Sequence, residues 1–288
     1  MAEKQASEVD ADAVERLALA YVAHGATTLL PKHLRLIARM EEFGFFRVGG
    51  VLVGTHAFAS YANMLGVKWG SSDQTMDVDL AMPGQSISIA VPEAPTVDLH
   101  DALSSFEAGF VPTRAFDGKA GATYSLKHDS DIQIDFLTTI DKRGDDPRII
   151  EALAVTAKPL KFLEYAVEAP TQAVALDRNG RHVVINLPSP ERYAVHKLIV
   201  QGERDPRYKV KAVKDVHQAA ALIEHFVANN PRALKEAWGD AYERGPGWRK
   251  RLDEGLEALS RSWPTQHQEM KSQITTPTAG KRAVPKKR

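Results

Sequence analysis

A chain of 288 residues can bury one large core or two modest ones, and its 43% hydrophobic and 26% charged residues are those of an ordinary globular protein. With 37 basic and 37 acidic residues the formal net charge is zero, so no overall field draws in nucleic acid. The absence of cysteine excludes disulfides, thiolate metal sites and a cysteine nucleophile.

The N-terminal dozen residues are polar and acidic rather than signal-like. No run approaches the ~18–20 apolar residues of a membrane span, so a cytoplasmic protein without a membrane partner is expected. Apolar residues recur at helical spacing over about 13–42, first at Val14, Leu17, Ala18, Tyr21 and Val22, then at Leu34, Leu36, Ile37 and Met40. Pro31 interrupts the run, which predicts two helices within 1–42. Residues 45–53 are apolar and rich in β-branched types, which predicts a buried strand. Gly54-Thr55 ends that run, and 56–65 has helical character. Segments 75–81, 123–126 and 132–137 alternate with period two and predict strands, with a helix over 98–106 between them. Asn179-Gly180 predicts a type I′ hairpin whose arms are 173–176 and 182–187.

Pro190 sits at the first position of a helical stretch that runs to Trp263, broken near Pro206, Pro231 and Pro246. From Lys271 onward there are six basic residues (Lys271, Lys281, Arg282, Lys286, Lys287, Arg288), no acid, and too little apolar surface to fold alone. These readings predict N-terminal helices over 1–42, an α+β core over 43–187, a helical C-terminal domain over 188–263 and a disordered basic tail over 264–288.

The chemistry centres on Thr75-Met76-Asp77-Val78-Asp79-Leu80. Residues i and i+2 of a strand share a face, so Asp77 and Asp79 reach one place. Two bare carboxylates so close repel, and each resists ionisation while the other is charged. A divalent cation removes that penalty; carboxylate oxygens suit Mg²⁺, with Mn²⁺ as a substitute, and Mg²⁺ also takes oxygens from substrate phosphates. An isolated Asp-x-Asp is more often a solvated strand face, but the apolar neighbours Met76, Val78 and Leu80 point to a strand with a buried side. Asp135, within Ile134-Asp135-Phe136, is a third strand carboxylate. If the two strands are neighbours, three carboxylates converge as a two-metal site requires. Asp129 and Asp131 precede the apolar part of that strand, where a turn or solvated edge explains them. Gly54-Thr55 stands at a strand-to-helix turn, where unpaired N–H groups, a close backbone and a hydroxyl suit phosphate. By itself it is more simply a turn capped by Thr55. Among the histidines only His56, next to Thr55, is a candidate for testing; His196 and His217 have apolar neighbours and read as core or surface.

The order Val53-Gly54-Thr55, then Asp77-Val78-Asp79, then Asp135 resembles the nucleotidyltransferase fold of the DNA polymerase β superfamily. The runs from Val53 to Phe58, Asn63 to Val67, Thr75 to Ala81, Pro190 to Val200 and Lys214 to Ala219 are similar to a bacterial branch of that superfamily. The resemblance implies an α+β core, a mixed sheet flanked by helices, followed by a helical C-terminal domain. It implies transfer of a nucleotidyl group from an NTP to an acceptor hydroxyl: an RNA end, a protein side chain or a small molecule. Asp77, Asp79 and Asp135 would hold the metal, Asp135 would receive the hydroxyl proton, and Gly54 and Thr55 would cradle phosphates. Serine is common in the family where this chain has Thr55, and the interval from Gly54 to Asp77 implies an insertion around 66–74.

Tyr193, Lys197 and Val200 share a helical face, so Lys197 can point inward and neutralise triphosphate charge. Lys197 followed by Lys214-Asp215 resembles the minimal nucleotidyltransferases of toxin–antitoxin pairs, which makes Lys197 and Asp215 nucleotide-binding candidates and a cognate regulatory protein a candidate partner. The alternative is a snorkelling Lys197 and a structural salt bridge at Asp215. A catalytically inactive nucleotide- or RNA-binding protein of the same fold is the alternative for the whole chain.

Overall fold

In a computed structural model of the chain, residues 2–69, 75–83, 97–107, 109–114, 120–126, 129–141, 144–204 and 209–275 are described. The polypeptide divides into two compact units, one ending at Ser189 and one beginning at Pro190. Among the described residues no helix is long and apolar enough to cross a membrane.

The first unit opens with helices α1 (Ala2–Ala23) and α2 (Pro31–Glu42). Helix α1 starts well before the predicted onset, and four of its apolar residues (Val14, Leu17, Leu19 and Tyr21) are exposed while Ala18 is buried. Pro31 begins α2 rather than merely breaking a longer helix, since its missing N–H costs nothing at a first position. The buried side of α2 carries His33, Leu34, Leu36, Ile37 and Met40.

The strand expected over 45–53 is only two residues long, β1 (Val51–Leu52). Phe45 and Phe46 are buried in a turn instead, with the Gly50 N–H donating to the Phe45 carbonyl. A Cβ on Gly50 would stand 2.4 Å from the Phe45 ring, so this turn closes only with glycine there. Asn186 braces it from outside, its side-chain amide donating to the carbonyls of Phe46 and Gly50 at 2.7 and 3.0 Å. Helix α3 (Gly54–Leu65) then starts directly at Gly54.

The remaining elements of this unit are β2 (Asp77–Met82), α4 (Leu99–Ser104), β3 (Phe110–Arg114), β4 (Ala120–Leu126), β5 (Asp129–Thr139), β6 (Arg148–Ile150), β7 (Val155–Leu160), α5 (Leu163–Val167), β8 (Pro170–Leu176) and β9 (His182–Pro188). Asp98 caps α4, its carboxylate accepting from the Asp101 N–H. The main sheet runs β1-β2-β5-β4-β3, with β7 also on β5 and β6 on β7. Strand β5 is parallel to β2 and β7 and antiparallel to β4, so the sheet is mixed.

Register in this sheet follows from alternation. Val78, Leu80, Ile132, Ile134 and Phe136 are buried on one face, and each is worth roughly 1.5–3 kcal/mol when removed from water. A one-residue slip would drive acids into that core and apolar side chains out, so the pairing is held. At the strand ends the buried Thr138 hydroxyl donates to the Met82 carbonyl at 3.0 Å.

The β8–β9 hairpin forms where Asn179-Gly180 predicts it, but not as a type I′ turn. Asp177 still pairs with Arg181 through its N–H, and only Gly180 has a positive φ, +79°. The loop is therefore three residues long, a form that needs one left-handed position rather than two. The Asp177 carboxylate stabilises it by accepting from the Asn179 and Arg181 N–H groups.

The second unit is helical, with α6 (Pro190–Val200), α7 (Lys209–Asn229), α8 (Pro231–Glu243), α9 (Pro246–Ser262) and α10 (Pro264–Thr275). Prolines 231 and 246 open α8 and α9, and Asn230 caps α8. The break expected near Pro206 lies outside the described residues. Helices α6 and α9 touch at Gly255, where a Cβ would stand 2.5 Å from the Leu198 carbonyl. Residues 264–275, expected as the start of a disordered tail, form α10 with Met270 fully buried. One buried methionine anchors a helix whose composition alone looks too polar to fold.

Candidate active site

Strand β2 lies parallel to β5 with Asp79 opposite Asp135 and Asp77 opposite Gln133. Paired residues of neighbouring strands point to the same face, so Asp77, Asp79 and Asp135 share the side opposite the Val78–Leu80 core. All three are half-buried. The sequence supplied the residues; the parallel pairing puts them on one face of the sheet.

Asp79 and Asp135 are turned toward different neighbours. Asp79 leans on the turn before α3, where a Cβ on Gly54 would stand 2.0 Å from its Oδ2. Gly54 has φ +66°, so glycine is required there by both conformation and space. Backbone pairing fixes the same approach, since the Val53 N–H donates to the Asp79 carbonyl at 3.0 Å. Asp135 is held from the other side, accepting at Oδ1 from the Thr123 hydroxyl of β4 at 2.5 Å. As the side chains stand, no group of three or more acids or histidines among the described residues is gathered for a metal ion. The donor set on this face is oxygen only, which fits a hard divalent cation.

Helix α3 presents its N-terminus at this edge. Its N-cap residue is Val53, which has no capping side chain, so Thr55 stands inside the first turn and is not the cap. The positive end of the α3 dipole therefore lies at Gly54 and Thr55.

His56, beside Thr55, is almost wholly buried, and its Nε2 shares a hydrogen bond with His33 Nδ1 at 2.9 Å. Burial lowers the His33 pKa, Lys32 lowers it further, and Asp77 partly opposes them. The His33 pairing escaped sequence reading because His33 looked like one polar position on an amphipathic helix. Thr123 was missed for a similar reason, being one alternating residue of an ordinary strand. The inserted segment lies in part outside the described residues, and so do the side chains of Asp129 and Asp131.

Lys197 and Asp215 are found together within the second unit. Lys197 Nζ meets Asp215 Oδ1 at 2.5 Å, Arg204 Nε meets Oδ2 at 2.8 Å, and Lys197 also faces the Tyr193 ring. Lys197 is 8% exposed and Asp215 2%, so the lysine does not snorkel. Burial pushes the Asp215 carboxyl up, but the two cations and their hydrogen bonds outweigh it and hold the group below the usual carboxylate range. His196 lies beside this cluster with Nε2 enclosed; burial, Lys197 and Arg204 push its pKa down to about 3 against the opposing pull of Asp215.

A protein-family model described as "Nucleotidyltransferase" matches residues 32–243, which takes in both units and every candidate residue named above. No curated protein and no solved structure matches the chain.

Proposed function

The chain belongs to this nucleotidyltransferase family, and from that premise we propose that it transfers a nucleotidyl group from an NTP to an acceptor hydroxyl with Mg²⁺ held by Asp77, Asp79 and Asp135. The observation that carries the proposal is the parallel register of Asp79 on Asp135, with Asp77 on the same face and the Gly54 turn pressed against it. When bound, the divalent cation supplies Lewis-acid polarisation of phosphoryl oxygens and neutralises developing charge. The N–H groups of Gly54 and Thr55, with the Thr55 hydroxyl, hold terminal phosphate oxygens at the start of α3. The Thr123 hydroxyl donates to Asp135 Oδ1 and orients the carboxylate, which would accept the proton of the attacking hydroxyl. The acceptor is an RNA end, a protein side chain or a small hydroxylated molecule.

For Lys197 and Asp215 the buried ion pair supports a structural role in the helical unit. Arg204, 36% exposed at its side chain, leaves the cluster with one net positive charge.

The test is incubation of the purified protein with each labelled NTP, Mg²⁺ or Mn²⁺, and total RNA or protein. Label transfer should occur with wild type and vanish in Asp77→Ala and Asp79→Ala. Equal, metal-independent nucleotide binding by all three proteins, without any transfer, would end the enzymatic reading.

A further inference from the structure

One cavity in the first unit adjoins the proposed site and shares Thr55 with it. It measures about 240 Å³ and is enclosed by the α1–α2 connection on one side and α3 on the other. We propose that this cavity receives a nucleobase, an inference that rests on the nucleotidyl-transfer reading and names what the site recognises.

The size suits one small group. Pockets for drug-sized ligands run from roughly 300 Å³ upward, so this space suits a single heterocycle. One wall is aromatic and rigid. Phe58 and Trp69 stack with centroids 4.8 Å apart and planes 20° from parallel. The Trp69 Nε1–H donates to the Phe58 carbonyl at 2.9 Å, which pins the indole. Bases bind such surfaces by stacking, whatever their edge pattern.

The opposite wall offers edges. Thr27 and Thr28 carry hydroxyls, and the connection that bears them is tied to α3 by a reciprocal pair. The Thr27 N–H donates to Asn63 Oδ1, and Asn63 Nδ2 donates to the Thr27 carbonyl, both at 2.8 Å. The cavity is thus built before any ligand arrives. His33 and His56 line it as a hydrogen-bonded imidazole pair. A neutral pair shares one proton between the two nearest nitrogens, and the tautomer chosen decides whether the outer nitrogen of His33 donates or accepts. Such an edge adapts to a base's donor or acceptor.

Charge narrows the ligand further. Among the described residues that line it, Arg178 is the one fixed cation and none is a carboxylate. Arg178 favours a neutral heterocycle or one bearing phosphate. Position completes the argument. Thr55 lines the cavity and belongs to the phosphate turn; Thr75 lines it too, its hydroxyl accepting weakly from the Asp77 N–H at 3.4 Å. An occupant therefore sits alongside the carboxylate strand. The base can belong to the NTP or to a nucleotide acceptor.

The experiment titrates adenosine, guanosine, cytidine and uridine into the full chain in metal-free buffer, read by calorimetry and by tryptophan fluorescence. At least one nucleoside should bind one to one and change the fluorescence, and Trp69→Phe should remove that change while retaining binding. Ala59→Phe, which fills the cavity, and Leu30→Trp, which blocks it from an exposed position, should each weaken binding about tenfold or more, while circular dichroism stays native. Asp79→Asn should bind nucleoside like wild type, which separates this inference from catalysis. If a non-hydrolysable NTP displaces the nucleoside, the base is the donor's; if both bind together, it is the acceptor's. Failure of every nucleoside to bind, or binding that both blocking variants leave unchanged, overturns the proposal even where nucleotidyl transfer is observed. Nucleoside binding without any transfer would remove the enzymatic reading and leave the pocket.

Discussion

Gly54 and Asp79 are packed so closely that no side chain fits between them: a Cβ on Gly54 would stand 2.0 Å from Asp79 Oδ2. The contact joins the phosphate turn to the carboxylate strand, so the two halves of the proposed site cannot drift apart independently. In Gly54→Ala the added methyl meets Asp79, and the left-handed φ of +66° costs a further ~1–2 kcal/mol. We expect lower stability by denaturant titration and transfer reduced at least ~100-fold, because misplacing reacting groups by about 1 Å has that effect. Wild-type transfer by Gly54→Ala would show that the contact does not position the site.

Metal binding should appear as stability. A ligand that binds only the folded state raises the unfolding free energy, by ~2.7 kcal/mol at a hundred times its Kd. Millimolar Mg²⁺ should raise the Tm of wild type and leave that of Asp79→Asn unchanged. An equal rise in both proteins would place the ion elsewhere.

Thr123 acts through Asp135. Its hydroxyl donates to Oδ1, so Thr123→Val leaves the carboxylate in place without that orienting hydrogen bond. Loss of such an orienting partner costs about 10–100-fold in activity. The fall should be in kcat, with the NTP KM little changed, and Thr123→Ser should restore it. A valine variant with a raised KM and normal kcat would instead place Thr123 in nucleotide binding.

Acid should loosen the helical unit. The His196 ring has a pKa of about 3 in the fold against ~6.5 unfolded, so the fold favours its neutral form. A depressed pKa means stability that is complete above ~6.5 and declines as pH falls toward the folded value. Asp215, also depressed, adds loss in the same direction as pH falls below the ordinary carboxylate value. Between pH 6.5 and 5 the slope for His196 approaches ~1.4 kcal/mol per pH unit. Urea midpoints across that range should fall in wild type and fall less in His196→Gln; parallel curves would show that the ring is not held neutral.

Lys197→Ala leaves Asp215 buried with only Arg204 for compensation. Breaking a buried pair from one side costs ~3–5 kcal/mol, which denaturant titration would register at once. If the pair is structural, the NTP KM of the folded fraction stays at the wild-type value. A raised KM with unchanged stability would restore the lysine to nucleotide binding.

Local pattern was readable because side-chain direction has a short period. Alternation along β2 and β5 put Asp77, Asp79 and Asp135 on the faces opposite the apolar residues, and Asn179-Gly180 marked its hairpin. Where conformation depended on a contact, the pattern misled. Phe45 and Phe46 looked like a strand, but the Gly50 N–H turning back to the Phe45 carbonyl makes them a turn. Residues 264–275 looked like a tail until Met270 found a place to bury.

By itself the sequence determined which residues could carry the chemistry: three strand acids, a glycine–hydroxyl turn and an inward lysine. Only the tertiary structure decided which of them meet. Parallel pairing of β2 with β5 set Asp79 against Asp135, Gly54 closed on Asp79, His33 was given to His56, and Lys197 was given to Asp215. The physical reason is that period tells a side chain which way to face but not what it will face. That choice is made by burial of the apolar side of each element, between segments far apart in the chain.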